Sequence, residues 1–155
     1  MELQELKKNY DVLAKKYKLP SFSELNEDFE IEKIERESDS LLRIIRKMMM
    51  EKIVNSLGFV EMLLTTMNAP RMYLTFIKSM TSEDKKRLEN MYDLLTGLSM
   101  ESLGREIEYS EKKEAELIVK TSKTWNSIKP DFKMIIEEIN HPKNYQVKKE
   151  RSYFG

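Results

Sequence analysis

Acidic residues three positions apart are the first feature of this chain that could do chemistry. A three-residue step puts two carboxylates on one face of a helix, where they could share a metal ion or a proton. Six such pairs occur, at Glu2/Glu5, Glu24/Glu27, Glu27/Glu30, Glu32/Glu35, Glu108/Glu111 and Glu111/Glu114. The chain holds 27 acids in 155 positions, and that composition alone produces roughly five pairs. Their number is therefore no signal. Glu108 and Glu111 stand for the carboxylate reading, a helical metal-dependent enzyme with both groups in one pocket.

Other catalytic patterns are missing. A di-iron bundle needs two Glu-x-x-His motifs, and His141 is the single histidine. The paired acidic pattern of all-α nucleotide pyrophosphatases has its nearest approach in Glu137 followed by Asn140. The sequence contains no Gly-x-Ser-x-Gly elbow, phosphate loop or dinucleotide fingerprint. It contains no cysteine, which excludes disulfides, thiolate metal sites and cysteine nucleophiles within the chain. The reading assigns no catalytic, cofactor-binding or metal residue and no cofactor, and it leans away from an enzyme.

Two features point to binding instead. Methionine is abundant, at 11 residues, with Met48, Met49 and Met50 consecutive. Methionine-rich surfaces repack around varied helical partners. Three consecutive residues turn through about 200° of a helix, so at least one of them should leave the centre of a buried stripe. These three are the candidate partner surface, weighed against ordinary core filling. The second feature is charge. Glu24 to Asp39 carries eight acids and two bases, whereas Leu117 to Gly155 carries eight bases and four acids. Lys120, Lys123, Lys143, Lys148, Lys149 and Arg151, with Tyr145, Tyr153 and Phe154 among them, could contact phosphates and stack on bases. The competing reading is a solvated tail, and no recognised nucleic-acid motif is present. Across the whole chain 27 bases balance 27 acids, so the molecule is no general polyanion binder.

The elements that must position these groups are helices. Only 4 glycines and 4 prolines argue against a many-stranded sheet. Leu3, Leu6, Tyr10, Leu13 and Tyr17 mark a first helix, ended by Pro20. Ser21 to Glu24 reads as a capping box opening a short helix. Phe29 and Ile31 alternate with acids, so Asn26 to Ile31 could be extended. A long helix from Ile34 to Met67 is apolar over much of its surface and should be central. Gly58 within it suggests a close crossing or a kink. Asn68-Ala69-Pro70 breaks it, Arg71 to Lys78 forms a short helix, and Thr81 to Asp84 caps the next. Gly97 and Gly104 should loosen the end of that helix. A last helix runs from about Ser110 to Ile139, with Pro130 expected to kink or interrupt it near Ile128.

The run Leu19-Pro20-Ser21-Phe22-Ser23-Glu24-Leu25-Asn26-Glu27-Asp28-Phe29-Glu30-Ile31 resembles the opening of small uncharacterised all-α proteins from archaea. Asn68-Ala69-Pro70 followed by Thr81-Ser82-Glu83-Asp84-Lys85-Lys86 looks similar too. The resemblance implies a cytoplasmic all-α protein and carries no functional residue over.

The expected fold is all-α, an irregular bundle of four to six helices with a long central helix. Residues 1–140 should form a single helical domain, and residues 141–155 a basic, mobile C-terminal tail. Leu42, Ile45, Met49, Ile53, Leu63, Tyr92, Leu95, Ile118 and Trp125 are the expected core. No signal peptide or membrane span is read. The leading functional expectation is a cytoplasmic, non-enzymatic interaction module, either a homo-oligomer or the small subunit of a complex. A nucleic-acid accessory protein is the alternative.

Overall fold

In the computed structural model, which describes residues 2–35, 39–65 and 69–141, local signals set most helix ends. Helix α1 spans Leu3–Tyr17 and stops at Lys18, whose left-handed backbone (φ 56°) sends its N–H back to the Ala14 carbonyl. Tyr10 crosses that stop, its hydroxyl donating to the Pro20 carbonyl at 2.5 Å. Helix α2 spans Phe22–Phe29, with the Ser21 hydroxyl accepting from the Glu24 amide. A 3₁₀ turn over Ile31–Lys33 follows. Thus Asn26 to Ile31 is helix and turn, not an extended piece. Phe29 and Ile31 are both buried, because the left-handed residue Glu30 between them (φ 53°) redirects the chain and brings both side chains inward.

Helix α3 spans Leu41–Leu64, shorter at its start than its apolar pattern suggested, since Ile34 has an extended backbone. Helices α4 (Arg71–Ser79), α5 (Ser82–Ile107) and α6 (Glu111–Asn140) complete the order. Thr81 and Asp84 form a reciprocal capping box at the start of α5, satisfying two amides that the first turn leaves free. The fold is all-α, and α3 is central: it packs along α5 and α6 and also meets α2 and α4. Helix α1 rests on α2 and α6. Among the described residues no helix is long and apolar enough to cross a membrane.

The expected core residues are buried, with one exception. Tyr92 is half-buried, because Leu88, Met91, Leu95 and Leu98 form the inward line of α5 and Tyr92 lies at its edge. The expected helix breakers do not end their helices. Helix α5 passes through Gly97 and Gly104 to Ile107. Helix α6 passes through Pro130 without interruption. Pro130 and Asn126 are both exposed, so water can reach the carbonyl that loses its partner, while buried Trp125, Ile128, Phe132 and Ile135 hold the helix on both sides. A proline inside a helix costs about 3 kcal/mol, which burial on this scale can offset.

Gly58 supports no close crossing, for a Cβ added there would meet nothing within 4 Å. Gly58→Ala should therefore stabilise the protein by about 0.5–1 kcal/mol, chiefly by restricting the unfolded chain. A rise in melting temperature of about 1–4 °C, followed by circular dichroism, is the expected readout.

Candidate functional site

The residues singled out in the sequence do not converge. Met49 and Met50 are buried in the core, and Met48 is half-buried against it. Lys120 is paired with Glu101, and Lys123 is exposed. Lys143, Lys148, Lys149 and Arg151 lie outside the described residues, as does the rest of the tail beyond His141. Glu108 and Glu111 belong to different elements: Glu108 caps the end of α5 and Glu111 begins α6. The helical spacing that would have paired them is broken by the connection between. Glu108 is exposed, and Glu111 accepts from the Tyr17 hydroxyl at 2.5 Å. No group of three His, Cys, Asp or Glu among the described residues is placed to hold a metal ion.

Three other assemblies stand out. The first is a buried ion pair. Arg46, only 1% exposed, donates from Nε and Nη2 to the two oxygens of Glu114 at 2.7 and 3.0 Å. Its Nη1 donates to Ser102 Oγ at 3.0 Å and to Glu106 Oε1 at 2.8 Å. Burial pulls the Arg46 guanidinium down, but hydrogen bonds and charges from Glu114 and Glu106 outweigh it and raise its pKa. The hydrogen bond from Arg46 lowers the Glu106 pKa against partial desolvation, with Arg43 and Lys47 adding to the effect. The bonds tie α3 to α5 and α6. Such a bidentate, fully paired arginine positions helices and leaves no acid or base free to react. Arg46 could have been noticed from its place four residues after Leu42 and just before Met49, on the apolar stripe of α3.

The second is a groove of about 730 Å³ where α2, the 3₁₀ turn, α3 and α6 meet. Its wall is aromatic. Trp125 lies 6.2 Å from Phe29 and 5.5 Å from Phe132 between ring centroids, and Phe132 stacks on Phe59 at 6.3 Å. The Lys52 ammonium sits 5.0 Å from the Trp125 ring and 5.6 Å from the Phe29 ring, and donates to the Asp28 carbonyl. Lys129 pairs with Asp28 Oδ1 at 2.6 Å, and the hydrogen bond raises its pKa. A readable signal existed. Met48, Lys52, Asn55 and Phe59 recur at helical steps on α3, and Trp125, Lys129, Phe132, Lys133 and Ile136 do so on α6. Lysines thus interrupt the apolar line on both helices.

The third is an apolar strip on α5. Met100 is 61%, Leu103 55% and Ile107 89% exposed. With Thr96 they follow alternating steps of four and three residues, the spacing of a coiled-coil seam. Exposed Val54 lies across a neighbouring groove of about 690 Å³ between α3 and α5. Gly97 and Gly104 stand beside the seam, each with open space where a Cβ would lie.

Comparison with models of protein families, with curated proteins and with solved structures finds no match for this chain.

Proposed function

We propose that this protein is a non-enzymatic helical interaction module that pairs with a second copy of itself through α5. The observation that carries the reading is the exposed seam of Met100, Leu103 and Ile107. Scattered apolar residues are normal on a surface, but a contiguous line at helix-packing spacing is what a partner helix covers. The glycines beside it leave room for a close approach. Charge favours a second copy as the occupant. Lys47 and Glu51 stand one turn apart on the α3 rim of the neighbouring groove. Both signs of charge on one rim, where Lys47 also lies 3.7 Å from Glu106, suit the mixed, self-complementary surface of an isologous dimer. The same reading makes it a cytoplasmic protein, in keeping with a chain that contains no cysteine.

Size-exclusion chromatography with light scattering over a range of protein concentrations tests this. The expected mass is twice 18.5 kDa. Changing Leu103→Glu together with Ile107→Glu should return the single-chain mass with the helical circular-dichroism signal unchanged. A wild-type protein of single-chain mass at every concentration would overturn the reading. So would a dimer indifferent to the double change.

A further inference from the structure

The groove between α2, α3 and α6 shares only the rim residues Glu51 and Asn55 with the groove beside the α5 seam, and it asks for a different occupant. We propose that it is a binding site for a small organic anion with a flat aromatic body. Its volume of about 730 Å³ lies within the range of small-molecule sites. The wall determines the body of the ligand. Half-buried Phe59, backed by the buried rings of Phe132 and Trp125, gives the groove an aromatic wall against which another ring can pack by offset or edge contact.

The charges determine the head group. Lys33 is paired with Glu30 and Lys129 with Asp28. Lys52 and Lys133 also line the groove, and neither forms an ion pair with a carboxylate among the described residues. Glu51, an exposed rim residue, leaves four lysines against three acids around the opening. Lys52 meets two ring faces and a backbone carbonyl, which hold the ammonium without neutralising it. An anionic group entering the groove supplies the missing counter-charge in a partly desolvated setting, where it counts for more than on an open surface. One further group lacks a partner: the Trp125 indole N–H is buried with no acceptor, although the residue is only 6% exposed. With that atom out of reach of solvent, the indole serves here as a reporter beside the groove and not as a contact for the ligand.

Trp125 is the single tryptophan, so its indole N–H gives one resonance in proton–nitrogen correlation spectra and reports the site directly. Naphthoate and adenosine monophosphate serve as aromatic anions, naphthalenemethanol as the neutral counterpart and octanoate as the aliphatic anion, each titrated separately into the full chain. A saturable shift of the indole resonance is expected with at least one aromatic anion, tighter than with either control. Whichever of naphthoate and the nucleotide binds more tightly identifies a carboxylate or a phosphate as the preferred head group. Lys133→Glu, a change at an exposed position, should weaken aromatic-anion binding by about tenfold and leave the neutral alcohol unaffected. Lys123→Glu, on another face of α6, should change neither. The proposal is overturned if neither aromatic anion saturates, if the alcohol or octanoate binds as tightly, or if the two lysine variants weaken binding equally.

Discussion

Arg46→Met is expected to destabilise the protein by about 3–5 kcal/mol, because it strips the buried Glu114 carboxylate of both its hydrogen bonds and its counter-charge. Glu114 is 0% exposed, so water cannot take the place of the arginine. Against a total stability of about 5–15 kcal/mol for an ordinary domain, this is a large share. It should lower the melting temperature by roughly 10 °C. The double variant Arg46→Met/Glu114→Leu should recover most of that loss, since an apolar pair of similar volume carries no desolvation penalty. Urea unfolding of the two single variants and the double variant closes the cycle and measures the coupling. If Arg46→Met alone were as stable as wild type, the ion pair would not be what ties α3 to α6.

The same cluster sets a direction for acid stability. The Glu106 carboxyl is held low, first by the hydrogen bond from Arg46. A depressed folded-state pKa contributes stability that is fully present above the unfolded value, about 4.3 for glutamate. That contribution fades as pH falls through the lowered folded value. Below pH of about 4, wild type should therefore lose stability faster than a Glu106→Gln variant, which has no proton to take up.

Trp125→Ala should cost about 3–5 kcal/mol, and Trp125→Phe only about 1–2 kcal/mol. The alanine change removes a ring that packs on both Phe29 and Phe132 and leaves a cavity beside the groove. Phenylalanine retains an aromatic ring there. It forfeits no intramolecular hydrogen bond, because the indole N–H has none. Unfolding followed by far-ultraviolet circular dichroism compares the three proteins without relying on the fluorophore being removed. A phenylalanine variant as unstable as the alanine variant would mean that the indole N–H has a partner worth a full buried hydrogen bond.

Much of the helical organisation was legible because its causes are local. The breaks at Pro20 and Pro70 and the caps at Ser21 and Thr81 each act within a few residues. The periodic faces of α3 and α6 name their buried residues through the 3.6-residue turn alone. Where the reading failed, a local preference met a tertiary fact. Pro130 disfavours helix, yet the burial of Trp125, Ile128, Phe132 and Ile135 carries α6 through. Gly97 and Gly104 weaken a helix by about 1 kcal/mol each, yet α5 is held by its inward line of leucines and Met91. The methionine run could not be apportioned, because which side of α3 is covered depends on helices far away in sequence.

The candidate sites divide in the same way. The sequence by itself determined a helical chain, a central apolar helix and the absence of cysteine chemistry, all of which follow from residue type and spacing. Only the tertiary structure decided that Arg46 is buried against Glu114, that Lys52 sits between Phe29 and Trp125, and that Met100, Leu103 and Ile107 are left uncovered. Helical periodicity says which residues share a face, but the partner of that face is chosen by how helices pack, and packing joins residues such as Asp28 and Lys129 that no local pattern connects.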